Sequence, residues 1–161
     1  MNQVTDATLA EIERLLVELG CGNHFDNMRV ISRYSHFYRM EAIPEAVFFD
    51  LVFLQNTEVS TIAPPDEDRR LRAVAIRALQ QNDARFSENW DLGSIRQRFS
   101  LAALPLPPFV LRDTSSSERQ HGEWYLQDGS HRALGYAMAV LNDEASYTPQ
   151  VAYCATERQL G

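Results

Sequence analysis

Near the start of the chain Leu9, Ile12, Leu15, Leu16 and Leu19 recur at helical spacing, which predicts an amphipathic helix. Thr5 or Asp6 is placed to cap it, and Gly20 or Gly22 to stop it. Residues 29–43 read as extended. Val30, Ile31, Tyr34, Phe37, Tyr38 and Ile43 are strand formers, and Pro44 closes the run. Over 46–54 the chain is too uniformly apolar for periodicity to separate helix from strand, and we read it as helix.

Pro64 and Pro65 mark a turn, after which Leu71, Val74, Ala75 and Leu79 fall on one side of a helix over 68–81. Arg69, Arg70, Arg72 and Arg77 surround that apolar side, giving a solvated outer face or a docking surface for an acidic partner. A loop over 82–93 and a short helix over 94–104 follow. Pro105, Pro107 and Pro108 then forbid helix and feed a strand over 109–112. The polar stretch 113–122 is a hairpin loop before a strand over 123–127. Asp128-Gly129 makes a tight turn into a helix over 131–142, with Leu134, Ala137, Met138 and Leu141 facing inward. A last strand runs over 150–155. No repeat, low-complexity tract or long linker interrupts the chain, so the expectation is one α/β domain over 1–161, a small mixed sheet with helices, with a divergent helical N-terminal half and an N-terminal helical segment over 1–28.

Composition narrows the chemistry. The 161 residues are 45% apolar and 23% charged, as in an ordinary globular domain. No apolar run reaches membrane-spanning length, and the first residues lack the basic and apolar parts of a signal peptide, so a cytoplasmic protein is expected. Cys21 and Cys154 are far apart and match no metal spacing, which suits two reduced thiols. A net charge of −7 argues against a protein that mainly grips nucleic-acid backbone. All fifteen basic residues are arginine and none is lysine. That removes a P-loop lysine, a kinase-type strand lysine and Schiff-base chemistry; phosphate would be handled by arginine, backbone amides and a metal.

The turn at 128–132 is the strongest candidate site. A helix start presents unpaired N–H groups and partial positive charge, and cations there cost up to about 1 kcal/mol. Yet His131 and Arg132 follow directly on Ser130, which is placed to cap the helix. A bound anion relieves these costs together, and phosphate is the commonest such ligand. Gly129 lets the backbone approach it closely, and Asp128 is placed to hold Mg²⁺ against phosphate oxygens. The plainer account is an ordinary Asp-Gly turn with a serine cap, Arg132 pairing with Glu123 or Glu144.

The run 124–134, with Asp128-Gly129-Ser130-His131-Arg132 at its centre, resembles the signature of the ParB/sulfiredoxin-like superfamily. There a strand leads into a glycine turn, a basic pair and a helix. Residues 108–111 and 151–153 match the family's sheet partners, and 39–44 resembles its opening strand; the best-matched core is 106–156. Sulfiredoxins place a catalytic cysteine where this chain has Ser130. ParB partition proteins have an Arg-Arg pair, bind CTP and continue into a helix-turn-helix region. The closest local motif is the Asp-Gly-His-His-Arg of the superfamily's free serine kinases. That resemblance implies an ATP- or other NTP-dependent, Mg²⁺-assisted phosphoryl transfer to a small hydroxyl-bearing substrate. It assigns the metal to Asp128, the phosphates to Gly129, Ser130, His131 and Arg132, and an acceptor-activating base to Glu41.

Alternatives stay open. The same turn serves a nucleotide-sensing or protein-interaction module without turnover, or a nuclease, which the acidic charge disfavours. Arg39 and Glu41 share a strand face and also read as a solvated pair. His121 with Ser115, Ser116 and Ser117 forms either a lid or a soluble turn. His24 and His36 match no metal spacing. A Ser130–His131–Asp128 triad fails because neighbours on one turn do not meet its geometry. A homodimer or a protein partner is compatible with all of these.

Overall fold

A computed structural model of the chain describes residues 4–20, 24–55, 59–81, 85–87, 90–101, 104, 106–119 and 122–160. Its elements are β1 (Val4–Asp6), α1 (Leu9–Glu18), α2 (His24–Ile31), β2 (His36–Ile43), α3 (Glu45–Phe49), β3 (Val52–Phe53) and α4 (Leu71–Gln80). They continue with β4 (Arg85–Ser87), β5 (Trp90–Asp91), α5 (Leu92–Leu101), β6 (Phe109–Asp113), β7 (Trp124–Asp128), α6 (Ser130–Leu141) and β8 (Gln150–Thr156). Six strands form one mixed sheet in the order β1-β2-β8-β6-β7-β3, and β4 and β5 make a separate hairpin. Pairing is parallel between β6 and β8 and between β3 and β7, and antiparallel elsewhere.

Both faces of the sheet are covered. Phe109, Leu111, Ala152 and Cys154 point into the main core with residues of α4, α5 and α6. The alternate positions Val110, Tyr153 and Ala155 point into a second core with Ile12 and Leu16 of α1 and Ile31 of α2. Burial on both faces explains why these strands read as continuous apolar runs. Helix α6 lies deep: its residues from Ala133 through Ala139 are all buried. No helix among the described residues is long and apolar enough to cross a membrane.

The first half of the chain is less helical than its pattern suggests, because β1, β2 and β3 all join the main sheet. Val4, Thr5 and Asp6 pair with Met40, Arg39 and Tyr38, so the cap of α1 is not Thr5 or Asp6. It is Thr8, whose hydroxyl accepts from the Glu11 amide at 3.2 Å and lies 3.2 Å from the Glu11 carboxylate. Residues 29–31, read as extended, close α2 instead; Ile31 there is fully buried against the second core, and packing overrides its strand preference. The apolar run 46–54 divides at Asp50 into α3 and β3, with Phe48, Phe49, Leu51, Val52 and Phe53 all buried. The segment read as a loop over 82–93 contains β4, β5 and the start of α5, where the Asp91 carboxylate accepts from the Ser94 amide at 2.7 Å.

The arginines around α4 are only in part a solvated face: Arg72 is exposed and Arg70 partly so, whereas Arg69 is buried. Arg69 is 3% exposed, donates to the Phe53 and Pro65 carbonyls and pairs with Glu118. Arg70 pairs with Asp68 at 2.7 Å, a bond that raises its pKa further above the usual arginine range. Arg77 donates to the Ile62 and Asp68 carbonyls at 2.7 and 2.5 Å, and Arg72 lies 4.5 Å from the Phe49 ring centre. Arg69, Arg70 and Arg77 thus bind the chain's own loops, and Arg72 alone of the four stays exposed.

Candidate anion-binding site

Strand β7 ends at Asp128 and α6 begins at Ser130, with Gly129 between them as the N-cap residue at φ 103. Only glycine adopts that conformation cheaply. Space adds a second demand: a Cβ at Gly129 would lie 2.5 Å from Phe109 Cδ1 and 2.8 Å from Arg132 Nη2. The Gly129 carbonyl accepts the first helical bond, from the Ala133 amide at 2.9 Å. Ser130 is therefore the first helical residue and not the cap, and no side chain caps the helix. The first turn contains no acidic residue and two basic ones, His131 and Arg132.

Arg132 is turned back over the turn. Its Nη2 donates to the Pro108 carbonyl at 3.1 Å and lies 3.6 Å from Asp128 Oδ2, while its guanidinium sits 5.4 Å from the Phe109 ring centre. The pairing with Glu123 or Glu144 is not formed; Glu144 instead pairs with Arg96 at 3.1 Å. Asp128 thus relieves part of the electrostatic cost that the sequence alone assigned to a bound anion. What remains is Arg132 Nε, which is buried without a hydrogen-bond partner, and a helix start with no side-chain cap. Ser130 and His131 are partly exposed beside them.

Glu41 stands apart from this turn. Its carboxylate is 2.8 Å from Arg39 Nε, and Arg39 also donates to the Tyr153 hydroxyl at 3.1 Å. The Tyr153 bond, then the Glu41 charge, raise the Arg39 pKa against the opposing effect of burial. Pairing runs from Arg39 to Tyr153, from Tyr153 to Val110 and from Val110 to Asp128. Three strand spacings of about 4.8 Å separate the two backbones by roughly 14 Å. The strand directions place the ends of β2 and β7 on the same side of the sheet. Glu41 and the turn therefore share one end of the molecule without touching.

At the opposite end lie residues to which the sequence reading gave no role, together with Ser115 and Ser117 of the candidate lid. A cavity of about 810 Å³ opens among Tyr34, Arg112, Ser115, Arg119, Tyr125 and Arg158. Its wall is fastened by Asp113, 8% exposed, which accepts from Thr156 Oγ1 at 2.5 Å, the Glu157 amide at 2.9 Å and Arg158 at 2.8 Å. The available signal was Arg112-Asp113, two charges ending an apolar strand buried on both faces. His121 lies outside the described residues. Ser115 accompanies this cavity, its hydroxyl 2.9 Å from that of Tyr125 and 3.0 Å from that of Ser117. His24 packs against the Phe25 ring at a tilt, and no group of three or more His, Cys, Asp or Glu among the described residues forms a metal cluster. No family model, curated protein or solved structure matches the chain.

Proposed function

We propose that the chain is a nucleotide-dependent phosphotransferase of the ParB/sulfiredoxin-like type, holding nucleotide phosphates at 128–132 and phosphorylating a small hydroxyl-bearing acceptor. The observation that supports it is the turn itself. A glycine favoured by both space and φ opens a helix with no side-chain cap and two basic residues, His131 and Arg132, in its first turn. Phosphate oxygens would accept from the first-turn amides and from the partly exposed guanidinium of Arg132, which would turn to bring its unbonded Nε into use.

The donor set fits Mg²⁺ in its usual nucleotide-bound form, in which one or two carboxylates suffice because phosphates and water complete the shell. Asp128 is the carboxylate that would hold it, and the ion would neutralise charge on the phosphate oxygens. Arg132 keeps the guanidinium over the turn through Pro108, so the cation is positioned before the ligand arrives. In this reading Glu41 orients the acceptor hydroxyl from the far side of the roughly 14 Å gap set by the strand spacing. It must first leave Arg39.

Isothermal titration with ATP, ADP and CTP, with and without Mg²⁺, tests the reading. Arg132→Ala is expected to weaken binding about ten- to hundredfold, as loss of charged hydrogen bonds does. Binding should depend on Mg²⁺ in the wild type and lose that dependence in Asp128→Ala. Free serine and other small alcohols are then assayed as acceptors. If folded Arg132→Ala and Asp128→Ala variants bind and turn over normally, the assignment is wrong.

A second reading rests on Glu41. Its ion pair with Arg39 and its separation from Asp128 suit a module that binds nucleotide without transferring phosphate. Glu41→Gln then leaves nucleotide affinity and cellular function unchanged, whereas a catalytic Glu41 makes the same variant bind nucleotide but lose turnover.

A further inference from the structure

The cavity at the other end of the sheet has a charge pattern of its own. Arg69 is consumed by Glu118, and Arg158 by Asp113 at 2.8 Å. Glu157 takes a hydrogen bond from Ser35 at 2.8 Å. Two lining arginines remain without a carboxylate partner among the described residues, Arg112 and Arg119. Arg112 is held by neutral groups: its Nε donates to Gln127 at 2.7 Å, its Nη1 reaches the Tyr34 hydroxyl at 3.4 Å, and its guanidinium lies 4.6 Å from the Tyr125 ring centre. Gln127 is itself fixed, donating to Asn27 at 2.7 Å. Arg119 uses Nη2 on the Thr114 carbonyl at 3.1 Å.

Two guanidinium groups are thus fixed by neutral partners at the wall of a cavity, in a protein of net charge −7. A row of three hydroxyls, on Ser117, Ser115 and Tyr125, stands beside them. Guanidinium pairs recognise oxyanions, and hydroxyls supply the orienting bonds that separate one small anion from another. The volume, about 810 Å³, exceeds what a bare ion needs and suits a small molecule.

We propose that this cavity is a second ligand site, for a small hydroxylated molecule bearing an oxyanion, either a phosphate monoester or a carboxylate. Arg112 and Arg119 bind the oxyanion, and Ser115 and Tyr125 contact the hydroxyl. The site lies at the opposite end of β7 from the 128–132 turn, so its ligand is a separate one and its occupancy does not depend on phosphoryl transfer.

The test is calorimetric titration of the folded protein with inorganic phosphate, glycerol 3-phosphate and malate, with sodium chloride at matched ionic strength as control. Saturable binding of glycerol 3-phosphate or malate in the millimolar range or tighter is expected, and whichever binds more tightly identifies the oxyanion. Arg119→Gln and Arg112→Gln should each weaken it about tenfold, the size expected for one charged hydrogen bond. Arg132→Ala should leave it unchanged. Circular dichroism checks folding; if Arg112→Gln does not fold, Arg119→Gln and Ser115→Ala decide the matter. The proposal is overturned if the wild type binds neither organic anion, or if the cavity variants bind as the wild type does. It is equally overturned if binding disappears in Arg132→Ala alone, which would assign the anion to the turn.

Discussion

At the carboxy-terminal end of β7 the candidate residues are consecutive, Asp128 to Arg132, whereas the cavity at its amino-terminal end is assembled from separate segments. Tyr34 follows α2, Arg112 lies in β6, Ser115 and Arg119 belong to the hairpin loop, Tyr125 is in β7, and Arg158 follows β8. The two ends also satisfy their charges differently. At the turn one arginine leans on a neighbouring aspartate and keeps a donor unused. At the cavity a buried aspartate saturates one arginine while neutral partners hold another. A local motif is visible in sequence; a site gathered by topology becomes visible only once the strands are in register.

Perturbing each end separates what is structural from what serves a ligand. The largest effect is expected for Asp113→Ala. It leaves the Thr156 hydroxyl, the Glu157 amide and Arg158 without their acceptor, and should cost about 3 kcal/mol in urea unfolding. A cost under about 1 kcal/mol would mean that water replaces the carboxylate. Next comes Gly129→Ala, where positive φ and the clash with Phe109 should remove about 2 kcal/mol and weaken nucleotide binding. Unchanged affinity in that variant would detach the turn from the ligand.

Glu41→Gln should shift stability by less than about 1 kcal/mol, since the Arg39 pair is more than a third exposed and screened by solvent. Any large change in turnover from this variant therefore reports chemistry. The smallest effect is an alkaline one. Burial raises the Cys154 thiol and the Tyr147 phenol above their ordinary ranges, so the unfolded chain releases these protons first. Their stabilisation is complete below the ordinary thiol and phenol values and is lost as pH rises beyond them. Urea midpoints should fall with pH in that window. Cys154→Ala should flatten the lower part of the decline and Tyr147→Phe the upper part.

The last fifty residues were legible because each element there has its own signal: three prolines before β6, a polar loop after it, Asp-Gly after β7 and Thr148-Pro149 before β8. The first hundred were harder, for identifiable reasons. Ile31 is a strand former, yet α2 buries it in the second core. The run 46–54 is apolar for two reasons in succession, a helix under the core and then a strand inside the sheet. Arg69 resembled its neighbours in sequence, and it is a buried group because Phe53, 16 residues away, and Glu118, 49 residues away, both bind it. At the turn, residue types were readable but bonding was not. The Asp128–Arg132 contact is local, but the back-bond to Pro108 spans 24 residues and depends on where the chain before β6 passes the turn.

The position of β8 bears on how the molecule assembles. It follows every other described strand in the chain yet lies between β2 and β6, and the β1-β2 pair meets the rest of the sheet only along it. Met40 meets Ala152 across that seam, a loop of more than a hundred residues. Closing so long a loop is entropically slow, and little hydrogen bonding compensates until it is done. Two incomplete half-sheets, each with an open flank, must therefore wait for one strand, and the rate at which β8 inserts should govern how fast this chain reaches its native state.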